Sequence, residues 1–327
     1  MNKKKILKWA SSIALCLSSA VMVGTVHAQS WPTKPIKFIV PYPPGGGTDV
    51  IARIVQEPMA KELGQQVIID NRGGAGGSIG SALAAQSPSD GYTVLFTLSS
   101  HTINPSFYPR LPFDTEKDFA PVVTIASLPQ ILVANPNFPA KNVKEVIEMA
   151  KAKPGSVSYA SVGNGSPGHL AGAMMATDAG VDMVHIPYRG GGPAITDVIA
   201  GQVPLLWVSI PAAAQFVKSG KVKALAVSTV KRSAVFPDVP TMAESGFKDF
   251  EVDSWYAMFV PANTPKPIVE RLNKAAIKVL AQPEVKEKLL SQGAEAVGDS
   301  PSQLAAVVKK ELAKWKQVVK AANIKVD

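Results

Sequence analysis

The stretch IKFIVPYPPGGGTDVIARI, residues 36–54, indicates the fold of this chain. Its first five residues, Ile36 to Val40, are a short apolar run of the kind that forms a buried strand. From Asp49 to Leu63 the apolar residues recur with the spacing of an α-helix. A glycine-rich turn between a buried strand and a helix is typical of a βαβ unit, so this stretch predicts an α/β protein with a mainly parallel sheet.

The same alternation continues on both sides of a loop-like stretch at 106–119. Apolar patterns predict further strands at 67–69, 93–96, 122–133, 157–162, 184–187, 205–208, 222–227 and 255–260, and helices at 78–85, 143–151, 169–179, 194–200 and 213–219. Near the C-terminus, Thr264 is predicted to cap a helix that reaches Leu280. Ser300 and Gln303 form a capping box that opens a last helix, which we expect to end at Ala322.

Two α/β halves followed by long helices predict a two-lobed protein with a cleft between the lobes. Each lobe is expected to be a mainly parallel sheet flanked by helices, and open sheets of this kind bind ligands beyond the carboxyl ends of their strands. We expect residues 29–125 to form lobe 1, residues 126–253 to form lobe 2, and residues 254–327 to return to lobe 1 with the closing helices. The hinges are then expected near 122–125 and 253–255, where the chain crosses between lobes.

The first 28 residues have the pattern of a secretory signal peptide. A segment with four lysines precedes an apolar run at 10–26, and Val26-His27-Ala28 is an A-x-A-like cleavage site. Cleavage after Ala28 would place the protein in the periplasm, remove the single cysteine and lower the formal net charge of +9 by four. Cysteine-rich zinc sites and disulfides are therefore excluded, and the mild charge does not indicate nucleic-acid binding.

Glycine-rich segments occur at four predicted strand-to-helix corners, at 43–47, 73–77, 163–166 and 190–192. Glycine lets a ligand approach the backbone closely, and a helix N-terminus offers unpaired N–H groups with a partial positive charge. Any one corner could serve only to pack a helix tightly on a strand. Four of them at the carboxyl ends of parallel strands predict a site for a small anion.

Two enzyme signatures occur among these glycines. Residues 163–168 spell G-x-G-x-x-G, but Pro167 interrupts the loop and Arg189 stands where a dinucleotide site needs an acid, so no such cofactor is expected. Residues 76–80 spell G-x-S-x-G, and a secreted hydrolase with Ser78 as nucleophile remains an alternative to a helix cap. His101, His169 and His185 would be available as bases, and their spacing does not indicate a metal site.

At these corners the chain resembles the Bug family, the extracytoplasmic solute receptors of tripartite tricarboxylate transporters. The family's P-G-G-x-x-D-x-x-A-R pattern is met at 44–53 and its N-R-x-G-A-G-G pattern at 71–77. Its G-x-G-S-x-x-H-L pattern is met at 163–170, and its H-[VI]-P-Y-[KR]-G-x-x-P-A pattern at 185–194. The resemblance implies a two-lobed periplasmic binding protein that closes on a ligand without catalysis.

The resemblance also implies the ligand class, the partners and the site. The expected ligand is a small carboxylate, such as a di- or tricarboxylate, an amino acid or an aromatic acid, and a monomeric receptor would deliver it to membrane permease subunits. A sensor for a membrane signalling partner is an alternative with the same fold. The residues expected to bind the ligand are Tyr42, Gly45, Gly46, Thr48, Asp49, Ser99, Ser100, Gly163, Gly165, Ser166, His169, Tyr188, Gly190 and Gly191. Asp49 is expected to cap its helix or hold a water rather than to touch the anion.

Overall fold

The computed structural model describes residues 31–108, 110–248 and 250–321. The chain divides into two compact units, Met1–Thr33 and Lys34–Asp327, and every element described below lies in the second. The expected signal peptide lies outside the described residues. Among the helices of the described ranges, none is both long and apolar enough to cross a bilayer.

Ten strands and ten α-helices alternate through most of the described part of the second unit. The strands are β1 (Ile36–Val40), β2 (Val67–Asn71), β3 (Thr93–Leu98), β4 (Phe119–Ala134), β5 (Ser158–Ser161), β6 (Val184–Pro187), β7 (Leu205–Ser209), β8 (Lys223–Val227), β9 (Asp253–Pro261) and β10 (Glu295–Ala296). The helices are α1 (Gly47–Leu63), α2 (Ser78–Ala85), α3 (Ser100–Phe107), α4 (Val143–Ala152), α5 (Pro167–Ala179), α6 (Gly191–Ile199), α7 (Ile210–Lys218), α8 (Lys266–Ala281), α9 (Pro283–Ser291) and α10 (Pro301–Ala321).

Two sections of sheet form the two lobes. In lobe 1 the strand order is β2-β1-β3-β9-β4, and in lobe 2 it is β6-β5-β7-β4, with β8 also paired to β4. The outer three strands of each lobe run parallel, as the alternating pattern predicts. The pairs that involve β4 and β9 are antiparallel, so each lobe is a mixed sheet whose antiparallel part lies next to the other lobe.

Strand β4 passes through both lobes. Residues from Phe119 to Pro129 pair with β9, and residues from Gln130 to Ala134 pair with β7. Its 16 residues are rich in Val and Ile, which favour an extended backbone and fill the buried faces on either side. The exchange of partners between Pro129 and Gln130 brings the two sheets to a common edge, which is where the candidate site forms. The predicted lobe limits and hinges stay predictions.

Burial on both faces explains why β7 and the C-terminal part of β4 are nearly continuous apolar runs. Leu132 and Trp207 face a core with α4 and α5, whereas Ile131 and Val208 face a second core with α6 and α7. Sheets covered by helices on both sides lose the in–out alternation of polar and apolar residues. In lobe 1, Phe259 packs with residues of α2 and α10 on one face of the sheet.

Local details depart from expectation at two places. The stretch predicted as a loop, 106–119, begins inside α3, which ends at Phe107. Pro105 lies inside this short helix. Thr264 does not cap α8, because its hydroxyl donates to the Pro261 carbonyl and Pro265 holds the cap position. The capping box at α10 is confirmed: Ser300 N donates to Gln303 Oε1 at 2.9 Å, and Gln303 N donates to Ser300 Oγ at 3.3 Å.

Candidate functional site

A small cavity lies where the two lobes meet. Lobe 1, together with β4, provides Tyr42, Gly46, Gly47, Thr48, Leu98, Gln130, Ser254 and Tyr256, and lobe 2 provides Val162, Pro167, Gly191 and Ser209. None of these twelve lining residues carries a charge. An ionic ligand in this cavity would therefore have no side-chain counter-ion among them.

Four helices begin at this cavity, and their backbone N–H groups are the obvious donors. Helix α1 begins at Gly47, α5 at Pro167, α6 at Gly191 and α7 just after Ser209. The cap residues of α1, α6 and α7 make no side-chain hydrogen bond to their helix, so first-turn N–H groups have no side-chain acceptor. Convergent helix N-termini provide partial positive charge as well as donors, which suits a carboxylate.

Neutral hydroxyl and amide groups complete the lining. The Tyr256 hydroxyl donates to Ser209 Oγ at 2.9 Å, and Ser254 Oγ lies 3.3 Å from Ser99 Oγ. The Tyr42 hydroxyl donates to the Gly76 carbonyl at 3.0 Å. Burial raises the pKa of Tyr42 and of Tyr256, so both phenols keep their protons and act as hydrogen-bond donors.

Asp49 shapes the first glycine-rich loop instead of lining the cavity. Its carboxylate accepts hydrogen bonds from Gly45 N at 3.0 Å, from Arg53 Nε at 2.8 Å and from Asn71 Nδ2 at 3.0 Å. Burial alone would raise the pKa of Asp49, but the hydrogen bonds from Arg53, Gly45 and Asn71 hold that pKa below its usual value. With its charge compensated in this way, Asp49 fixes the turn that presents Gly46 and Gly47, and the Asn71 amide also donates to the Tyr42 carbonyl at 3.0 Å.

His169 and Ser166 hold the third glycine-rich loop. Ser166 Oγ caps α5 by accepting from His169 N at 3.2 Å, and His169 Nδ1 accepts from Gly165 N at 3.3 Å. The His169 ring stacks on the ring of His185, with 3.9 Å between centroids. Neither imidazole lines the cavity, and burial lowers the pKa of His169 to about 4.

Glycines let the loops of the two lobes approach each other. A Cβ added at Gly163, whose φ is +131°, would lie 3.2 Å from Gly76 Cα in the opposite lobe. A Cβ added at Gly47 would overlap both Ser209 Oγ and the Tyr256 hydroxyl. Side chains at these two positions would hold the lobes apart.

The structure brings four of the predicted binding residues to the cavity wall: Tyr42, Gly46, Thr48 and Gly191. The other ten predicted residues are not among its lining residues, namely Gly45, Asp49, Ser99, Ser100, Gly163, Gly165, Ser166, His169, Tyr188 and Gly190. Tyr188 donates to Asp197 Oδ2 at 2.7 Å within lobe 2, and a Cβ at Gly190 would meet Pro43 of lobe 1.

Eight lining residues are not among the individual residues predicted to bind the ligand: Gly47, Leu98, Gln130, Val162, Pro167, Ser209, Ser254 and Tyr256. Ser209 could have been found, because Ser209-Ile210-Pro211 follows a buried strand and places proline in the first turn of a helix. Gln130 lies on β4 and Ser254 on β9, and nothing in their local sequence indicates a site.

The Ser78 hydroxyl is not arranged as a nucleophile. Ser78 Oγ donates to the Ala75 carbonyl at 2.6 Å, at the start of α2. His185 Nε2 lies 2.7 Å from Ser161 Oγ, and His101 lies among the rings of Phe113, Phe119 and Phe259. Within the described ranges, no histidine is hydrogen-bonded to Ser78, and no cluster of three potential metal ligands occurs.

Comparison with known proteins gives one consistent result. The family described as "Tripartite tricarboxylate transporter family receptor" matches residues 51–324. The solved structure of the periplasmic binding protein BugD is 37% identical, has a TM-score of 0.87, and the match covers 90% of this chain and 99% of that one.

Two further similar structures contain ligands. MatC (Rpa3494) from Rhodopseudomonas palustris, with bound malate, is 33% identical with a TM-score of 0.84, and the match covers 88% of this chain and all of that one. Rpa4515 from R. palustris, with adipate, is 34% identical with a TM-score of 0.87, and the match covers 90% of this chain and 99% of that one.

Proposed function

Because this chain belongs to the tripartite tricarboxylate transporter receptor family, we propose that it is a periplasmic receptor that binds a small carboxylate between its lobes. The observation that carries the proposal is the convergence of four helix N-termini on a cavity without charged lining residues. Malate and adipate, the ligands in two similar structures, are both dicarboxylates. A carboxylate bound by backbone N–H groups makes charge-assisted hydrogen bonds and needs no buried counter-ion.

Residues from both lobes would contact the ligand. Gly47 and Thr48 at the start of α1 face Gly191 and Ser209 of lobe 2 across the cavity. A ligand bound to both sides has more contacts in the closed form than in the open form, and this difference in affinity favours closure. The closed receptor would then deliver the carboxylate to permease subunits in the membrane, acting as a monomer exported by residues 1–28.

Thermal-shift screening of a carboxylic-acid panel, followed by calorimetry on the strongest ligands, tests the proposal. The panel contains malate, adipate, citrate, glutamate and benzoate, and malate, adipate, citrate and benzoate are each paired with the fully esterified methyl ester as an uncharged control. We expect at least one free acid to raise the melting temperature, with no shift from its ester, because only the acid provides an anion for the N–H groups. Stabilisation by esters or sugars alone would contradict the proposal.

Ester hydrolysis distinguishes the receptor from the hydrolase alternative. We expect no turnover of nitrophenyl esters by the wild-type protein and no change in ligand affinity in Ser78→Ala, since Ser78 Oγ is occupied by a backbone carbonyl. Turnover that disappears in Ser78→Ala would support the hydrolase. The signalling alternative predicts a membrane kinase rather than a permease in cross-linking from whole cells.

A further inference from the structure

The rings of His169 and His185 form a stacked pair directly behind the loop at 161–166. Their planes are 10° from parallel. His169 Nδ1 accepts from Gly165 N, and His185 Nε2 lies 2.7 Å from Ser161 Oγ. The pair thus contacts both ends of the loop, and Val162 within the loop and Pro167 directly after it line the cavity.

The hydrogen bonds assign a proton to each ring. Because His169 Nδ1 is an acceptor, the neutral ring must carry its proton on Nε2. Ser161 Oγ accepts from Gly163 N at 3.1 Å and lies 3.0 Å from the Gly163 carbonyl. A serine hydroxyl has one proton and two lone pairs, so Oγ donates to that carbonyl and accepts its second bond from His185 Nε2–H.

We propose that His169 is a positioning residue, assisted by His185, which holds the loop at 161–166 in its binding shape only while the His169 ring is neutral. The inference rests on the proposed function, because the loop is one wall of the carboxylate site. A proton added to His169 would occupy Nδ1 and point at the Gly165 N–H. It would also place a cation 3.9 Å from the second imidazole, inside a buried cluster.

Closure of the cleft couples this pair to ligand binding. Phe107 of α3, in lobe 1, lies 5.2 Å from the His169 ring in lobe 2, measured between centroids. The ring of Tyr159 in β5 packs against the ring of His185, with 5.1 Å between the centroids. The titratable group that faces the His169 ring is therefore His185, with Tyr159 on the far side of His185, and among the described residues no ion pair involves either imidazole.

The sign of the pH dependence follows from burial. In this closed form, burial holds the pKa of His169 near 4, whereas a ring exposed by opening returns towards its ordinary pKa of about 6.5. The open form therefore takes up a proton more readily than the closed form. We therefore expect ligand affinity to have its full value above about pH 6.5 and to decline as the pH falls towards 4.

Three variants separate the positioning role from a general effect of losing a buried histidine. His169→Phe keeps an aromatic ring but removes the acceptor. His169→Asn can place Oδ1 near the Nδ1 position, so it restores the acceptor without a group that titrates in this range. His101→Phe is the matched control, because His101 is equally buried but lies in a phenylalanine cluster of lobe 1.

The binding readout is calorimetry with malate and adipate at pH 7.5 and then at intervals down to pH 5.0. At pH 7.5 we expect His169→Phe to weaken binding about tenfold, His169→Asn to weaken it about threefold or less, and His101→Phe to leave it unchanged. As the pH falls, wild-type affinity should decline relative to His169→Asn. Titration of the ligand itself is common to both proteins, so it cancels in this ratio.

A second readout does not require a ligand. In protein labelled with ¹⁵N-glycine, the Gly165 amide signal should move on acidification of the wild type and should be displaced at every pH in His169→Phe. Two outcomes would overturn the positioning role. One is a ligand affinity of His169→Phe equal to that of the wild type, and the other is an affinity ratio between wild type and His169→Asn that does not change with pH. If no carboxylate binds the wild-type protein, the proposed function fails, and an undisturbed Gly165 signal in His169→Phe would reject the contact independently.

Discussion

Tyr256 in lobe 1 donates its hydroxyl proton to Ser209 Oγ in lobe 2, over 2.9 Å and in a fully buried position. Ser209 is also the cap residue of α7, and its side chain makes no bond to that helix. The hydrogen bond therefore joins the two lobes at the cavity wall without using the backbone donors that we assign to the ligand. It stabilises the closed arrangement but not the open one, because opening would separate the two side chains.

Removing this bond should weaken ligand binding without unfolding the protein. Tyr256→Phe keeps the ring in its packed position and removes one hydrogen bond that exists only on closure, which corresponds to about 1 kcal/mol, or a five- to tenfold rise in Kd. Calorimetry measures the Kd, and small-angle scattering measures the fraction of closed protein. In a double-mutant cycle with Ser209→Ala, additive effects of the two changes would show that the bond makes no contribution.

Two neighbouring glycines should respond differently to alanine. A Cβ at Gly47 would overlap Ser209 Oγ and the Tyr256 hydroxyl, whereas a Cβ at Gly46 would meet its nearest atoms at an ordinary 3.6 Å. We expect Gly47→Ala to reduce affinity at least tenfold by blocking closure and Gly46→Ala to change it less than threefold. Calorimetry on both proteins checks this, with melting curves to compare folding. Equal losses in the two variants would point to the start of α1 rather than to closure.

Loss of the Asp49 carboxylate should loosen the first loop and reduce stability. The folded state lowers the pKa of Asp49, so its stabilising effect is present above the unfolded pKa of about 3.9 and is lost as the pH falls below it. At pH 7 we expect Asp49→Ala to lower the free energy of unfolding by about 1–3 kcal/mol, because three donors lose their acceptor. Urea unfolding of the wild type and of Asp49→Ala, at pH 7 and at pH 3, measures the free energy of unfolding of each protein. The gap between the proteins should narrow at pH 3, and a constant gap would contradict the assigned charge.

His101 should make the protein sensitive to acid. Neither nitrogen of this fully buried ring has a hydrogen-bond partner, and burial lowers the pKa of His101 to about 3. In the unfolded chain the histidine has a pKa of about 6.5 and takes up the proton more readily. The free energy of unfolding is therefore undiminished by this ring above pH 6.5 and declines as the pH falls from 6.5 towards 3. We expect His101→Phe to unfold at a higher temperature at pH 5 and to show a flatter acid profile. Calorimetric melting between pH 4 and pH 8 tests this, and parallel profiles for both proteins would disprove it.

Local sequence signals predicted the secondary structure where the deciding contacts are local. The limits of β1, α2 and β6 match the predicted ones, because strand patterns and turn residues mark their ends within a few positions. Helix α3 was missed because its Pro105 and polar residues resemble a loop, and burial of Ile103 and Phe107 against other elements stabilises the helix. Thr264 resembled a cap because its side chain has a suitable hydroxyl, but that hydroxyl found a nearer carbonyl.

The amino-acid sequence by itself determined the alternation of strands and helices, the glycine-rich corners and the family, since each depends on residues close together in the chain. Only the tertiary structure decided which groups line the cavity. Gln130, Ser254 and Tyr256 reach it because β4 pairs with β9 in lobe 1 and then with β7 in lobe 2, and these partner strands are far apart in sequence. Asp49 and His169 are not among the lining residues, and each accepts a hydrogen bond from a loop glycine four residues earlier, Gly45 and Gly165 respectively.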